Sequence, residues 1–508
     1  MADSHKIFGE NPSFSSQNRA IGLSALVKEM DLHVPLPSVP SEAVAGLRTI
    51  RQGRSKDQYP LSYAPKDVWG HLRFAMRYEP IDLGVLAAFF QAVDRGQIQS
   101  WIRGESTGIF ARRAWYLYEL LTGQTLDISD VPPTGYTPLL CPDAHITAKG
   151  VRIQRQKVVD NLLGNRDYCP LIRRVDELNG WMQQDFNQKF RGIVGGVARS
   201  VSNRAAQYLF VKETKSSFAI EGESPGPDKE RRFVRALREV VDFDPYRLNG
   251  YLELQKLILD SRYAESGWRT KQNYVGTSLP DSEIVHLIAP KPEDLHSLMN
   301  GWMRSLARVE TGSVDPICVA AIAGFGFVYL HPFEDGNGRI HRFLIHHVLA
   351  KLGLTPQGVL FPVSATMNRN KDAYDGALEV FSRKIQPHID YSMDDFRQMS
   401  VFGKTADLYR FPDLTVQTEY LYRTIASTID TDMRQEICFI ESYDRALKAI
   451  KDTVDMPNSR ASLLVRLILQ NRGRLSKTKR GQFSELTDDE IAAIEAAIGK
   501  FEADQEAP

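Results

Sequence analysis

The sequence is poor in cysteine and has no excess of either charge. Its four cysteines, Cys141, Cys169, Cys318 and Cys438, stand far apart and include no CxxC pair. Neither a disulfide framework nor a zinc site of paired cysteines is indicated. Lysine and arginine total 63 and aspartate and glutamate 63, a formal net charge of zero. Bulk electrostatics therefore gives no reason to expect a nucleic acid or an acidic membrane as partner. The longest uninterrupted apolar run, Ile317 to Leu330, is fourteen residues, too short for a bilayer span and suited to a buried helix. The N-terminal stretch MADSHKIFGENPSFSSQ holds no apolar signal core, and a cytoplasmic protein is expected. Internal repeats and long low-complexity tracts are missing too. What is present is an ordinary globular mixture, 43% hydrophobic and 25% charged over 508 residues, enough chain for two or three units.

Apolar residues recur at three- and four-residue steps along most of the chain, as in LGVLAAFFQAV and RRAWYLYELL. This predicts an all-α protein with at most a small β element. Residues 1–64 read as an N-terminal tail and connector, the connector running from Leu36 to Arg54. Residues 65–143 read as a helical domain closed by the Pro/Gly-rich loop DVPPTGYTPLLCPD. A second helical region is expected from Arg155 to Glu221, and a third from Arg231 to about Val401. The segment NYVGTSLPDSEIVHLIAP within the third is the one place where a short hairpin is expected. Residues 409–508 are again helical, with the capping-box pattern Thr487-Asp-Asp-Glu490. Just before it lies a basic cluster, Arg472, Arg474, Lys477, Lys479 and Arg480. It reads as a solvated face, with helix-turn-helix binding of DNA or docking of a target as alternatives.

The chemistry concentrates in VYLHPFEDGNGRIHRFLIHHVLAKLG, Val328 to Gly353. Asp315-Pro316 opens a helix that the apolar run carries to about Leu330. A turn with two glycines follows, and a second helix starts near Arg339, with Gly353 as its stop. Arg339 and Arg342 lie one turn apart at the N-terminus of that helix, an end already positive from its unpaired N–H groups. Two arginines there cost stability unless an anion sits among them, and a glycine-rich turn opening onto a helix N-terminus is suited to phosphate. Asp335 offers a carboxylate suited to Mg²⁺, which arrives carrying substrate phosphates. His331, on the rim of the turn, is placed to act as a general base near neutral pH. Phe333 reads as an anchor into the core. His341, His346 and His347 match no HExxH spacing and read as packing or surface residues. The combination points to phosphoryl or nucleotidyl transfer.

The string HPFEDGNGRIHR resembles the Fic signature HPFx(D/E)GNGRxxR at every defined position. That resemblance implies a core helical bundle over about 155–401, with a small β-hairpin flap formed by Arg269–Pro292 and helical regions on either side. It also implies a protein adenylyltransferase. His331 would deprotonate a Ser, Thr or Tyr hydroxyl of a target protein, and the oxygen would attack the α-phosphate of Mg-ATP. Asp335 would hold Mg²⁺, the backbone of Gly336, Asn337 and Gly338 with the Asn337 side chain would cradle phosphates, and Arg339 and Arg342 would bind the β/γ end. Tyr374 is a candidate for the adenine pocket, with helix packing as the alternative. Upstream, Ser217-Phe-Ala-Ile-Glu221-Gly222 resembles the family's inhibitory motif (S/T)xxxE(G/N), on a helix of about 204–222. There Glu221 would pair with Arg342 and block the γ-phosphate. Two other readings stand beside transfer: removal of AMP or transfer of another phosphate-bearing group, and an ATP-sensing DNA-binding regulator. The target, the modified residue type and a homodimer stay open.

Overall fold

The computed structural model describes residues 18–503 apart from Arg54, residues 195–198, Asp281, residues 312–313, Gln357 and Arg472. The first seventeen residues of the expected tail, Asp281 of the hairpin and Arg472 of the basic cluster thus lie outside the described residues. The fold is mostly helical, with only small sheets of two or three strands. Among the described residues no helix is long and apolar enough to cross a membrane.

Two compact units divide the chain. The first comprises Met1–Gln184, Glu239–Gly353 and Asn370–Tyr422, the second Asp185–Arg238, Leu354–Arg369 and Arg423–Pro508. These differ from the sequence-drawn ranges 1–64, 65–143, 155–401 and 409–508, because compactness follows burial rather than order along the chain. The connector illustrates this. Strands β1 (Asn18–Ile21), β2 (Ser41–Val44) and β3 (Asp57–Pro60) make a sheet in which β2 pairs antiparallel to β1 and parallel to β3. Leu23, Leu26 and Val27 of the intervening helix share one core with Leu72, Phe89 and Trp115. Ser38 donates to Asp413 at 2.7 Å, and Arg173 meets the same carboxylate at 2.9 Å. Burial alone would raise the pKa of Asp413, but Arg173 and Lys384 overcome it and bring it down to about 2.

Helices Val68–Tyr78, Leu83–Ala92 and Arg95–Gly104 each start where an aspartate caps them. Asp67, Asp82 and Asp94 accept the N–H three residues on, at 2.7, 3.1 and 3.0 Å. The helix expected from Arg155 is absent. There β5 (Val151–Ile153) and β6 (Val158–Asp160) form a hairpin through Lys157 at φ 52°, and β6 also pairs parallel to β4 (Thr137–Pro138). Alternation of buried Val158, half-buried Val159 and buried Asp160 is a strand period in a run too short to show it clearly in the sequence. Helix resumes at Asp176. The expected hairpin is present as β7 (Tyr274–Ser278) with β8 (Glu283–Ile288), and a further one joins β9 (Tyr391–Met393) to β10 (Met399–Val401).

The centre of this unit is the helix Pro316–Leu330. Asp315 caps it through the Ile317 N–H at 2.8 Å, and every residue from Ile317 to Leu330 is buried. Its two flanking helices, Pro292–Glu310 and Asn337–Lys351, approach closely because Gly324 and Gly326 carry no side chain. A Cβ at Gly324 would stand 2.8 Å from Ile345, and one at Gly326 2.6 Å from the Trp302 ring nitrogen.

In the second unit the helix Arg199–Ile220 is fastened to Val363–Arg369. The buried Glu213 carboxylate accepts the Ser364 N–H at 2.9 Å, and the buried Asp432 takes Lys212 at 2.8 Å and Arg369 at 3.0 Å. Towards the C-terminus, Leu464, Val465, Ile468, Ile491 and Ile494 share a small core. The capping box forms: the Thr487 N–H donates to Glu490 at 2.7 Å, and the Glu490 N–H returns to the Thr487 hydroxyl at 3.2 Å. Arg480 from the basic cluster is spent on Asp488 and on the carbonyls of Phe483 and Leu486, at 2.8, 2.6 and 2.7 Å.

Gly326→Ala tests the packing argument. Alanine normally gains about 1 kcal/mol over glycine inside a helix, but here the new methyl would meet Trp302 and the Tyr168 hydroxyl at 2.6 and 2.7 Å. Crowding wins, and stability is expected to fall by about 1–3 kcal/mol, read as a lower urea midpoint. A raised midpoint would show the site to be roomy.

Candidate active site

The glycine-rich turn links the helices Pro316–Leu330 and Asn337–Lys351. His331 ends the first in the left-handed conformation at φ 47°, unusual for a residue with a Cβ and worth reading as imposed by its surroundings. Its ring Nδ1 lies 3.2 Å from the Val328 carbonyl oxygen. A carbonyl only accepts, so in this contact Nδ1 carries the hydrogen and Nε2 is the basic nitrogen. Phe333 is fully buried against Trp268 and Phe327, with ring centroids 5.2 and 6.4 Å away.

Asn337 closes the turn on itself. Its side-chain oxygen accepts the Phe333 N–H at 3.0 Å, and its amide donates to the Phe333 carbonyl at 2.8 Å. Asn337, 2% exposed, clamps the turn to which the resemblance assigns the phosphate contacts. Gly336 precedes the second helix at φ 89°, a conformation glycine enters without penalty, so the first N–H groups of that helix open onto the turn. Arg339 and Arg342 are each 1% exposed. Arg339 pairs with Asp335 at 3.1 Å, and the Asp335 side chain is 63% exposed at the mouth. Arg342 Nη1 lies 3.4 Å from the hydroxyl of Tyr374, whose ring faces His341 with centroids 6.1 Å apart. Tyr374 is buried behind the motif helix, the packing arrangement that the sequence offered as the alternative to an adenine contact. His341, His346 and His347 are buried, and the His347 ring contacts the Val240 carbonyl at 2.7 Å.

Ser217, Glu221 and Gly222 belong to the second unit. Ser217 is buried, the helix ends at Ile220, Glu221 is exposed just beyond it, and Gly222 turns the chain at φ 72°.

A ring of polar residues that sequence reasoning missed fastens the turn. The Arg269 guanidinium, 2% exposed, donates to the carbonyls of His331, Lys271 and Pro290 at 2.8, 2.8 and 2.6 Å. The Arg269 N–H adds a bond to Pro332 O at 2.9 Å. Burial lowers its pKa to about 10, which leaves it charged at neutral pH. Asn273 donates to Phe333 O and Glu334 O, both at 3.2 Å, and Gln255 to Asp335 O at 3.2 Å. Glu265 accepts the Glu334 N–H at 2.8 Å. The only local signal was a few polar residues beside a predicted hairpin, with no spacing to single them out.

Beside the turn, four of the five β7 residues are exposed. Two β8 carbonyls are in use: Val285 O accepts Gln386 at 3.3 Å and Ile288 O accepts Tyr409 at 2.6 Å. The edge left accessible for an added strand is therefore that of β7. Among the described residues no three His, Cys, Asp or Glu side chains gather as a metal cage. A single exposed carboxylate such as Asp335 fits Mg²⁺, which takes one or two carboxylates and completes its shell with water and phosphate oxygens.

Residues 245–349 match the model of the Fic/DOC family. The chain is 29% identical over 286 residues to Protein adenylyltransferase Fic of Drosophila sechellia, covering 54% of each protein. With the protein of the same name from Drosophila yakuba it shares 29% over 321 residues, covering 60% of each. The chain thus spans little more than half the length of the curated relatives it matches. A solved Fic family protein from Desulfovibrio desulfuricans G20 is similar at a TM-score of 0.38 and 17% identity, covering 61% of this chain and 88% of that one, a likeness too loose to build on.

Replacing Arg269 by methionine leaves three carbonyls without their donor, that of Pro290 in a buried contact and those of His331 and Lys271 in part-buried ones. Stability is expected to drop by about 3 kcal/mol or more, with faster hydrogen exchange over residues 331–337. Lysine should not rescue it, because a single ammonium does not reproduce the planar fan of a guanidinium. Full rescue by lysine would mean that charge, not geometry, is what matters.

Proposed function

We propose that this chain, with a Fic domain over residues 245–349, is a protein adenylyltransferase that moves AMP from Mg-ATP to a Ser, Thr or Tyr hydroxyl of a target protein in the cytoplasm. One observation carries the reading: His331 directs Nδ1 to the Val328 carbonyl, so Nε2 is the base, at the mouth of a helix N-terminus where Arg339 and Arg342 are buried. The His331 Nε2 takes the proton of the target hydroxyl. The freed oxygen forms a bond to the α-phosphorus of ATP, and the bond from that phosphorus to the α–β bridging oxygen breaks, releasing pyrophosphate. Charge gathering on the phosphate oxygens is met by the helix N–H groups from Gly336 onward and by the two arginines, all fixed before the reaction. Asp335 would hold Mg²⁺, which when bound neutralises phosphate charge. Main-chain pairing along the β7 edge would bring the target hydroxyl towards His331.

The same reading includes a brake, in which Glu221 pairs with Arg342 and excludes the γ-phosphate. Support comes from the string Ser217-Phe-Ala-Ile-Glu221-Gly222 and from the exposed position of Glu221 after its helix.

The test uses Mg²⁺, ATP labelled on the α-phosphate and a cell lysate, with the natural chain, Glu221→Gly and His331→Ala. Glu221→Gly is expected to raise protein-bound label at least tenfold, and loss of the base to lower it by about 10²–10⁴. Equal label from the natural chain and Glu221→Gly would remove the brake. No label from any of them would remove AMP transfer itself.

A further inference from the structure

The loop between β9 and β10 is held in an uncommon shape. Asp394 accepts the N–H groups of Phe396 and Gln398 through one side-chain oxygen, at 2.9 and 2.7 Å, and its own carbonyl accepts the Arg397 N–H at 3.0 Å. This holds Arg397 in the left-handed region at φ 60°, where a residue with a Cβ persists only if its surroundings insist. The Arg397 side chain then reaches the tip of the other hairpin. One terminal nitrogen donates to Leu279 O at 3.1 Å, and the other pairs with Glu283 at 3.2 Å. The Glu283 side chain is 8% exposed, and its second oxygen accepts the Ser278 hydroxyl at 3.2 Å. The arginine thus spans the turn that joins β7 to β8.

A lone two-stranded hairpin is marginal in water, and this one is anchored along β8. Its root is held by Arg269 and Tyr409, and its middle by Gln386 and by a 3.3 Å contact between His286 and Glu379. Apart from Arg397, none of these contacts reaches the tip. We propose that Arg397 is a positioning residue: through Leu279 and Glu283 it fixes the tip of the β7–β8 hairpin, and so sets where the β7 edge receives the main chain of a target protein. The β9–β10 hairpin is in this sense a part of the target-docking apparatus, although it lies more than a hundred residues from β7 in sequence. This inference rests on the adenylyltransferase reading for its consequence, though not for its geometry. Main-chain pairing transmits any displacement of the edge directly to the target hydroxyl. A misplacement of about 1 Å at a reacting group costs up to about a hundredfold in rate.

The experiment uses the full chain carrying Glu221→Gly, alone and with Arg397→Ala, Glu283→Gln, or both. Hydrogen exchange should speed up about tenfold over residues 274–288 in each single variant, and the double should be no faster than either, as expected for partners in one contact. Exchange in the helix Pro316–Leu330 should stay as in the parent. Transfer of α-phosphate label to lysate proteins should fall about tenfold or more, while affinity for a fluorescent ATP analogue is unchanged. Arg397→Lys, which keeps the ion pair with Glu283 but does not span both partners, should fall between. Unaltered exchange at the hairpin overturns the inference, and so does faster exchange with undiminished labelling. Weakened binding of the ATP analogue overturns it too, because the effect would then not be confined to target docking. Absence of label from the parent itself instead refutes the adenylyltransferase reading, and hydrogen exchange still decides whether Arg397 holds the hairpin.

Discussion

A guanidinium buried to 2% exposure and bonded to three carbonyls is an expensive object, because charge removed from water must be repaid by dipoles held in place. Arg269 finds them at both ends of the β7–β8 hairpin, at Lys271 and Pro290, and at His331 in the turn. Three backbone segments that have no covalent reason to keep a common position are thereby held to one planar group with a fixed fan of donors. Asn337 does the equivalent inside the turn, folding residues 333–337 onto themselves through both faces of one amide. The histidine, the carboxylate and the β7–β8 hairpin are then tied together. Such fastening is what preorganised chemistry requires.

The same turn breaks a rule that most helices respect. Positive side chains are unfavourable at a helix N-terminus, yet Arg339 and Arg342 sit in the first turns of Asn337–Lys351 and are almost wholly buried. Asp335 relieves Arg339 in part from an exposed position. Two arginines buried at a helix N-terminus concentrate positive potential there, which favours the binding of an anion. Departures of this kind from local preference mark places where sequence serves binding rather than folding.

How much could be read in advance follows from how local each feature is. The Asp315 cap, the stop at Gly353, the Thr487–Glu490 box and the motif turn are written within a few residues, and all are present. Phe333 as an anchor was legible because an aromatic in a polar turn has few other uses. The sheet of β1, β2 and β3 was hidden, since its strands are four residues each and pair across gaps of up to twenty residues. The strands Val151–Ile153 and Val158–Asp160 were too short to display a period against the helical background. Arg269 and Asn273 were invisible for another reason: their partners are carbonyls, which every residue has, so no sequence pattern announces them. The division into two units escaped for a related reason, as each is assembled from three separate stretches of chain.

An edge strand that receives another protein by its main chain faces opposing demands. It must stay open, because a covered edge takes no partner, and it must stay still, because main-chain bonds carry position rather than identity. In the proposed role, the β7–β8 hairpin meets them on different strands. Its β8 side is committed to Gln386, Tyr409 and Glu379, which immobilises the pair without touching the β7 edge. The Val285 and Ile288 carbonyls of β8 are satisfied by side chains rather than by a third strand, and the sheet has two strands. Openness on one edge is thus bought by fixing the other. Under the proposed adenylyltransferase reading, selection among targets then falls to surfaces outside the two-stranded ladder, separate from the placement of the reacting hydroxyl.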